Sequence, residues 1–260
     1  MKPKILFIHG MFLTPRSWEN WLSYFQVLGF ECEAPAWPFH EGEPARLRAN
    51  IPAGLGALCL RDLHEYYRQR LTSEVEPPIV IGHSLGGLLA QKFLAEDLVR
   101  AAVGICPVAP NGMLAFDWGF LRNSASITNP FAGQEPYEMS AELFYRNFGN
   151  TMTEAAAGAA WKAHVVPESR QVLRDIRDSE GEIDLNKPHA PLLLIGADKD
   201  EIIPASLVRR NAHAYKDGRS HHEYKEFSGR GHFICNQDGW EEVAESVFNW
   251  LEAHLNAARA

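Results

Sequence analysis

The sequence predicts an α/β fold: a mostly parallel sheet flanked by helices, with an inserted helical cap. Three observations carry this. Short, continuous apolar runs at residues 5–8, 79–81, 101–106 and 192–195 alternate with stretches of helical periodicity, the pattern of strands buried on both faces. The run at 79–81 leads straight into Gly82-His83-Ser84-Leu85-Gly86 and then into a helical pattern. From about residue 110 to 186 the alternation stops, leaving helical fragments and no convincing strand.

Taken in order, residues 5–8 form an apolar strand that ends at His9-Gly10. Trp18, Trp21, Leu22, Phe25 and Leu28 recur at helical spacing, and Gly29 is a natural stop. A short strand at 30–34 runs into Pro35-Ala36-Trp37-Pro38. Residues 55–71 read as one helix with Leu58, Leu63 and Tyr66 or Tyr67 facing inward. The strand at 79–81 and its helix follow, then the strand at 101–106. Helical fragments are expected at 139–148, 153–163 and 168–178. The pattern resumes with the strand at 192–195 and a weaker alternating strand at 223–227. It closes with an amphipathic helix at 240–255 carrying Val243, Val247, Trp250, Leu251 and Leu255. The expected division is a core of residues 1–109 and 187–260 with a cap of residues 110–186.

The bulk composition restricts the function classes. With 260 residues, 46% of them hydrophobic and 22% charged, the chain has enough apolar material for a sizeable globular core. A net charge of −8 argues against a nucleic-acid partner, because phosphate binding needs a basic surface. No apolar run approaches the roughly 20 residues that span a bilayer. No secretory leader is read either, so a cytoplasmic location is expected. The four cysteines are scattered without C-x-x-C spacing, as expected for reduced thiols rather than a zinc site or disulfide framework. His213, His221, His222 and Glu223 superficially suggest a metal. However, the adjacent pair His221-His222 near a strand start points to opposite faces, and no metal is expected.

A G-x-S-x-G pentapeptide between a strand and a helix holds its serine at the tip of a strained turn, where a base and a substrate carbonyl can both reach the hydroxyl. Ser84 is therefore the candidate nucleophile, with Gly82, His83 and Gly86 as its supporting turn. A serine hydroxyl needs a base. His232, in Gly231-His232-Phe233 between the last strand and the last helix, is the candidate by context. The base in turn needs a carboxylate to fix its tautomer. Asp198, Asp200 and Glu201 compete in the loop after the strand at 192–195; Asp200, four residues before Pro204, is favoured, with Asp198 next. Two backbone N–H groups should hold the oxyanion: Leu85, at a helix N-terminus, and Met11, on the turn begun by His9 and Gly10.

These parts together resemble the α/β-hydrolase superfamily, in the form of a capped, esterase-like serine hydrolase: His9-Gly10 after the first strand, Gly82-His83-Ser84-Leu85-Gly86-Gly87, Asp200 before Ile202-Ile203-Pro204, and Gly231-His232. The resemblance spans nearly the whole chain. It implies a Ser84–Asp200–His232 triad and no cofactor. The sequence opens at the His-Gly strand, so the two leading antiparallel strands of the full fold are not expected. The implied reaction is acyl transfer on a small or medium hydrophobic carboxylic ester, with water as second substrate. Phe12, Trp118, Phe144, Trp161 and Phe233 are the expected pocket residues. Lactone or carbon–carbon bond hydrolysis, perhydrolysis or lyase chemistry on the same scaffold, and a slow-turnover ligand sensor, are the competing readings.

Overall fold

The computed structural model describes residues 2–114, 127 and 129–257. Strand β1 (Ile5–Ile8) is followed by helix α1 (Glu19–Val27), β2 (Cys32–Glu33), α2 (Pro44–Ala49), α3 (Leu60–Ser73), β3 (Ile79–His83), α4 (Leu85–Ala95) and β4 (Ala101–Ile105). Helices α5 (Asn111–Leu114), α6 (Ala141–Asn147), α7 (Glu154–His164) and α8 (Arg170–Asp175) then intervene. The chain returns to the sheet with β5 (Leu192–Ala197), α9 (Ala205–Ala214), β6 (His222–Phe227) and α10 (Trp240–Ala257).

The sheet has the order β2-β1-β3-β4-β5-β6, and every pairing among its six strands is parallel. The apolar strands explain this. Ile5, Phe7, Ile79, Ile81, Val103, Leu193 and Ile195 face one layer, while Leu6, Ile8, Val80, Ala102, Leu192 and Leu194 face the other. A strand that is apolar on both faces demands cover on both. Trp21 and Phe25 of α1 with Val243, Val247 and Leu251 of α10 cover the first. Leu63 and Tyr67 of α3, Leu89 and Phe93 of α4, and Leu207 and Val208 of α9 cover the second. From β1 the chain turns outward to β2, then crosses back to β3. The loops leaving β1 and β3 therefore meet at a topological switch point, the place where open parallel sheets accept ligands.

Several elements differ from the sequence reading: the strand expected over 30–34 shrinks to Cys32–Glu33, and helix α2 forms at Pro44–Ala49 where none is expected. The helix expected over 55–71 begins at Leu60, after a separate 3-10 turn at Leu55–Ala57. Contacts with the helical insertion break it: a Cβ on Gly56 would lie 1.7 Å from the Gln134 carbonyl oxygen, Ser169 Oγ donates to the Leu58 carbonyl at 2.7 Å, and Leu60 N–H donates to Asp175 Oδ2 at 3.0 Å. Helix α9 was not anticipated, because its buried stripe is only Leu207, Val208, Asn211 and Ala212 in a polar decapeptide. Among the described residues, no helix is long and apolar enough to cross a membrane.

Candidate active site

Ser84 occupies the sharp turn between β3 and α4 with φ 55° and ψ −117°, a region that non-glycine residues rarely adopt. The turn folds the helix hard against the sheet. A Cβ on Gly82 would lie 2.0 Å from the Gly86 carbonyl oxygen, and one on Gly86 would lie 2.1 Å from the Ile8 carbonyl oxygen. The Ser84 carbonyl accepts the N–H groups of Gly87 and Val108, both at 3.0 Å, which pins the turn to the loop after β4.

The loop after β5 places Asp200. Its Oδ1 accepts the N–H groups of Ile202 at 2.8 Å and Ile203 at 2.9 Å, and its Oδ2 lies 2.7 Å from His232 Nδ1. Both side chains are fully buried. A carboxylate is acceptor-only, so Nδ1 carries a proton in this pair, and Nε2 is the ring nitrogen left for another partner. Asp198, the competing acid, is committed elsewhere. It takes the hydroxyl of Ser228 and the N–H groups of Gly229 and Arg230, and so shapes the loop that presents His232. Glu201 is exposed.

One link of the expected relay, Asp200 to His232, is formed. The other is open: His232 Nε2 is buried and has no hydrogen-bond partner. Ser84 and His232 nevertheless line the same cavity. Met11, Phe12, Val108, Ile202 and Ile203 line it from the sheet side. Met139, Leu143, Asn147, Phe148 and Leu173 line it from the helical insertion. Apart from Ser84 and His232, Asn147 is the one polar residue among these. Among the described residues, no hydrogen bond occupies the N–H of Met11 or of Leu85. Both are backbone donors next to Ser84 in sequence or in space.

The supporting histidines are neutral. His83 Nε2 donates to the His232 carbonyl oxygen at 2.8 Å, and burial, reinforced by the neighbouring His232, lowers its pKa from 6.5 to about 3. His9 stacks on Trp37 with ring centroids 4.5 Å apart and contacts the Gly10 carbonyl at 3.0 Å; burial and then His40 hold its pKa well below the usual value. Gly10 itself admits Ser84 closely, since a Cβ there would sit 2.8 Å from the Ser84 Cβ.

Of the expected pocket residues, Phe12 lines the cavity and Trp118 lies outside the described residues. Phe144, Trp161 and Phe233 are not among the residues that line it. Phe144 stacks beneath Phe148 at 5.3 Å and meets the edge of Phe233 at 5.3 Å, so both support the wall rather than form it. Trp161 packs under Arg48 on a separate surface depression and donates Nε1–H to the Met139 carbonyl. The aliphatic residues Ile202 and Ile203 were missed; their apolar character directly after a loop carboxylate is the signal that would have found them.

Among the described residues, two clusters have metal-ligand chemistry. The ligand atoms of Cys106, Asp200 and His232 lie within 4.8 Å of one another, but Asp200 is bound to His232, and burial together with Asp200 keeps Cys106 a protonated thiol. His221, Glu223 and His254 meet on the surface, where Glu223 Oε1 lies 2.5 Å from His221 Nε2 and 3.3 Å from His254 Nε2. His222 turns away from them toward Tyr215 and His189.

A sequence search of curated proteins finds no match. Solved structures of similar fold are numerous. A monoacylglycerol lipase of Paleococcus ferrophilus is 19% identical with a TM-score of 0.69, covering 96% of this chain and 94% of its own. Tomato methylketone synthase I, complexed with 2-tridecanone, is 14% identical with a TM-score of 0.70, covering 98% and 99%. A pyrethroid hydrolase of Sphingobium faniae is 15% identical with a TM-score of 0.66, also covering 98% and 99%. At these identities the likeness is one of fold. The model of the alpha/beta hydrolase family matches residues 5–246, and the chain, an all-parallel sheet with a serine elbow at its switch point, belongs to that family.

Proposed function

We propose that this protein is a cofactor-independent serine hydrolase that cleaves small to medium hydrophobic carboxylic esters, with the helical segment 110–186 acting as a cap over the site. The observation that carries the reading is the state of His232. Its Nδ1 is fixed by Asp200, its Nε2 is buried and unpartnered, and the residue lines the same cavity as Ser84. A buried ring nitrogen without a partner is costly unless it serves another group.

In the proposed cycle, Ser84 Oγ attacks the ester carbonyl as its proton passes to His232 Nε2. Asp200 stabilises the resulting imidazolium without taking the proton. The carbonyl oxygen gains the electron pair of the broken π bond and is held by the Met11 and Leu85 N–H groups. When the tetrahedral intermediate collapses, the carbon–oxygen bond to the leaving alcohol breaks and His232 returns the proton to that alcohol. Water then repeats the sequence on the acyl-enzyme and frees the acid. The lining beyond the reacting groups is nearly all aliphatic or aromatic, which favours an apolar acyl or alcohol portion.

The test is turnover of p-nitrophenyl butyrate by the wild type and by Ser84→Ala, paired with labelling by a fluorophosphonate and mapping of the labelled residue. Turnover that disappears in Ser84→Ala at unchanged melting temperature, with the label on Ser84, supports the reading. Folded protein that resists the label at Ser84 overturns it.

A further inference from the structure

Phe12, one residue beyond the proposed oxyanion donor, is held at φ 66°. Bulky residues stay in that region only where their surroundings over-determine the backbone. Here both polar groups of the Phe12 backbone are bound by the helical insertion. Its N–H donates to Glu168 Oε2 at 3.2 Å, and its carbonyl accepts the N–H of Val166 at 3.0 Å. On the other side of the turn, the Gly10 carbonyl accepts the Leu13 N–H at 3.4 Å and lies 3.0 Å from His9 Nδ1. A trans peptide is planar, so the Met11 N–H points away from the donors that hold the Gly10 carbonyl.

Glu168 is fully buried, as isolated carboxylates are not. Oε1 accepts the Ser169 N–H at 2.8 Å, Oε2 accepts the Phe12 N–H, and His40 Nε2 stands 3.2 Å from Oε2. The Glu168 backbone is tied to Tyr137 in both directions, at 2.8 and 3.0 Å. Each carboxylate oxygen therefore faces a different N–H donor. Only a group with an acceptor at both positions satisfies them; an amide of the same shape would set its NH2 against one of the two.

We propose that Glu168 is a positioning residue for the oxyanion site: by holding the Phe12 N–H it locks the turn that aims the Met11 N–H, so that the site is complete only while the segment bearing Val166 and Glu168 is seated on the core. The inference rests on the serine-hydrolase reading above. It adds that the insertion builds part of the catalytic apparatus as well as covering it, and that lifting this segment dismantles the oxyanion turn.

The isosteric Glu168→Gln tests it, with p-nitrophenyl butyrate as substrate and an alkyl trifluoromethyl ketone as probe. The ketone adds Ser84 Oγ to its carbonyl carbon, the Ser84 proton goes to His232, and the resulting oxyanion needs the same N–H groups as the transition state. The expected result is kcat lower by about 10- to 100-fold with KM held within about threefold. Trifluoromethyl ketone affinity should fall in step with kcat, and affinity for the matching methyl ketone should not. A merely structural role would weaken both ketones together. A folded Glu168→Gln with kcat within about twofold of wild type, or equal losses for the two ketones, overturns the inference. Should Glu168→Gln not fold, Glu168→Asp keeps the charge, withdraws the carboxylate by one methylene and is read in the same way. If the wild type forms no adduct at Ser84, the hydrolase reading fails and the inference falls with it. If it forms one and Glu168→Gln matches it, only the inference fails.

Discussion

His83, the residue before the elbow serine, donates its Nε2–H to the backbone carbonyl of His232 at 2.8 Å, with the two rings 4.8 Å apart. The elbow and the histidine loop, separated by some 150 positions in sequence, are thus joined by one buried bond beside the proposed chemistry. His83→Phe keeps a ring in place but strands that carbonyl. Leaving one buried acceptor unpaired costs about 1–3 kcal/mol, and the loop carrying His232 gains freedom. The urea midpoint should drop accordingly, and kcat should fall more than KM changes. A variant with wild-type kcat would show that the bond does not position His232.

Acid should destabilise the fold through its buried neutral imidazoles. Burial, with His232 adding to it, takes His83 from 6.5 to about 3; burial, with Arg16, takes His164 to about 4; His9 is also well below its usual value. Between those values and 6.5 the unfolded chain binds protons that the folded chain refuses, so stability falls as pH falls through that window. His40 works in the opposite sense. Burial alone would lower its pKa, but Glu168, the Pro38 carbonyl and Glu41 together outweigh it and the net shift is upward, so its contribution is present at low pH and lost as pH rises through its folded value. Urea midpoints measured from pH 7 to pH 4 should decline, and His83→Gln should flatten the decline. A profile level across that range contradicts the assignment of these rings as neutral.

Asp200→Asn separates geometry from chemistry. Two backbone N–H groups converge on Oδ1 and the His232 Nδ1–H on Oδ2. An asparagine keeps the loop by pointing its carbonyl at Ile202 and Ile203, which leaves its NH2 facing His232. The ring must then accept at Nδ1, carry its proton on Nε2 and lose its capacity as a base toward Ser84. kcat should fall on the order of 10⁴-fold while the melting temperature stays near wild type. Retention of more than about a tenth of the activity would point to another acid as the partner of His232.

The parts of this molecule written in contiguous residues were legible from the sequence. Strands β1, β3, β4 and β5 announce themselves by continuous apolar runs, and the elbow by a glycine-flanked serine between a strand and a helix, because the close approach of Gly82 to Gly86 and of Gly86 to Ile8 excludes side chains. What depends on distant segments was not. The spacing to Pro204 favours Asp200 over Asp198, but the physical reason for the choice, Gly229 bound to Asp198 and His232 to Asp200, lies in residues 228–232. Phe144 and Phe148 lie one turn apart, yet Phe148 reaches the cavity and Phe144 lies behind it, a difference set by where Phe233 packs. Glu168, between a proline and a serine, reads as a surface charge until the folded insertion brings Phe12 and His40 to its carboxylate.

The backbone of Ser84 stores strain that substitution can release. At φ 55° and ψ −117° the residue lies outside the regions open to side chains at low cost, and conformations of this kind cost of order 1–3 kcal/mol. Ser84→Ala removes the hydroxyl but keeps the Cβ, so it keeps the strain. Ser84→Gly removes both. Glycine loses more backbone entropy on folding, roughly 0.5–1 kcal/mol relative to alanine, which offsets part of the relief. The glycine variant should therefore be more stable than the alanine variant by about 1 kcal/mol, with both inactive. Paired urea denaturations of the two variants give the comparison directly. An alanine variant as stable as the glycine variant, or more so, would mean that the turn holds Ser84 without strain, and that its exposure to the cavity follows from packing alone.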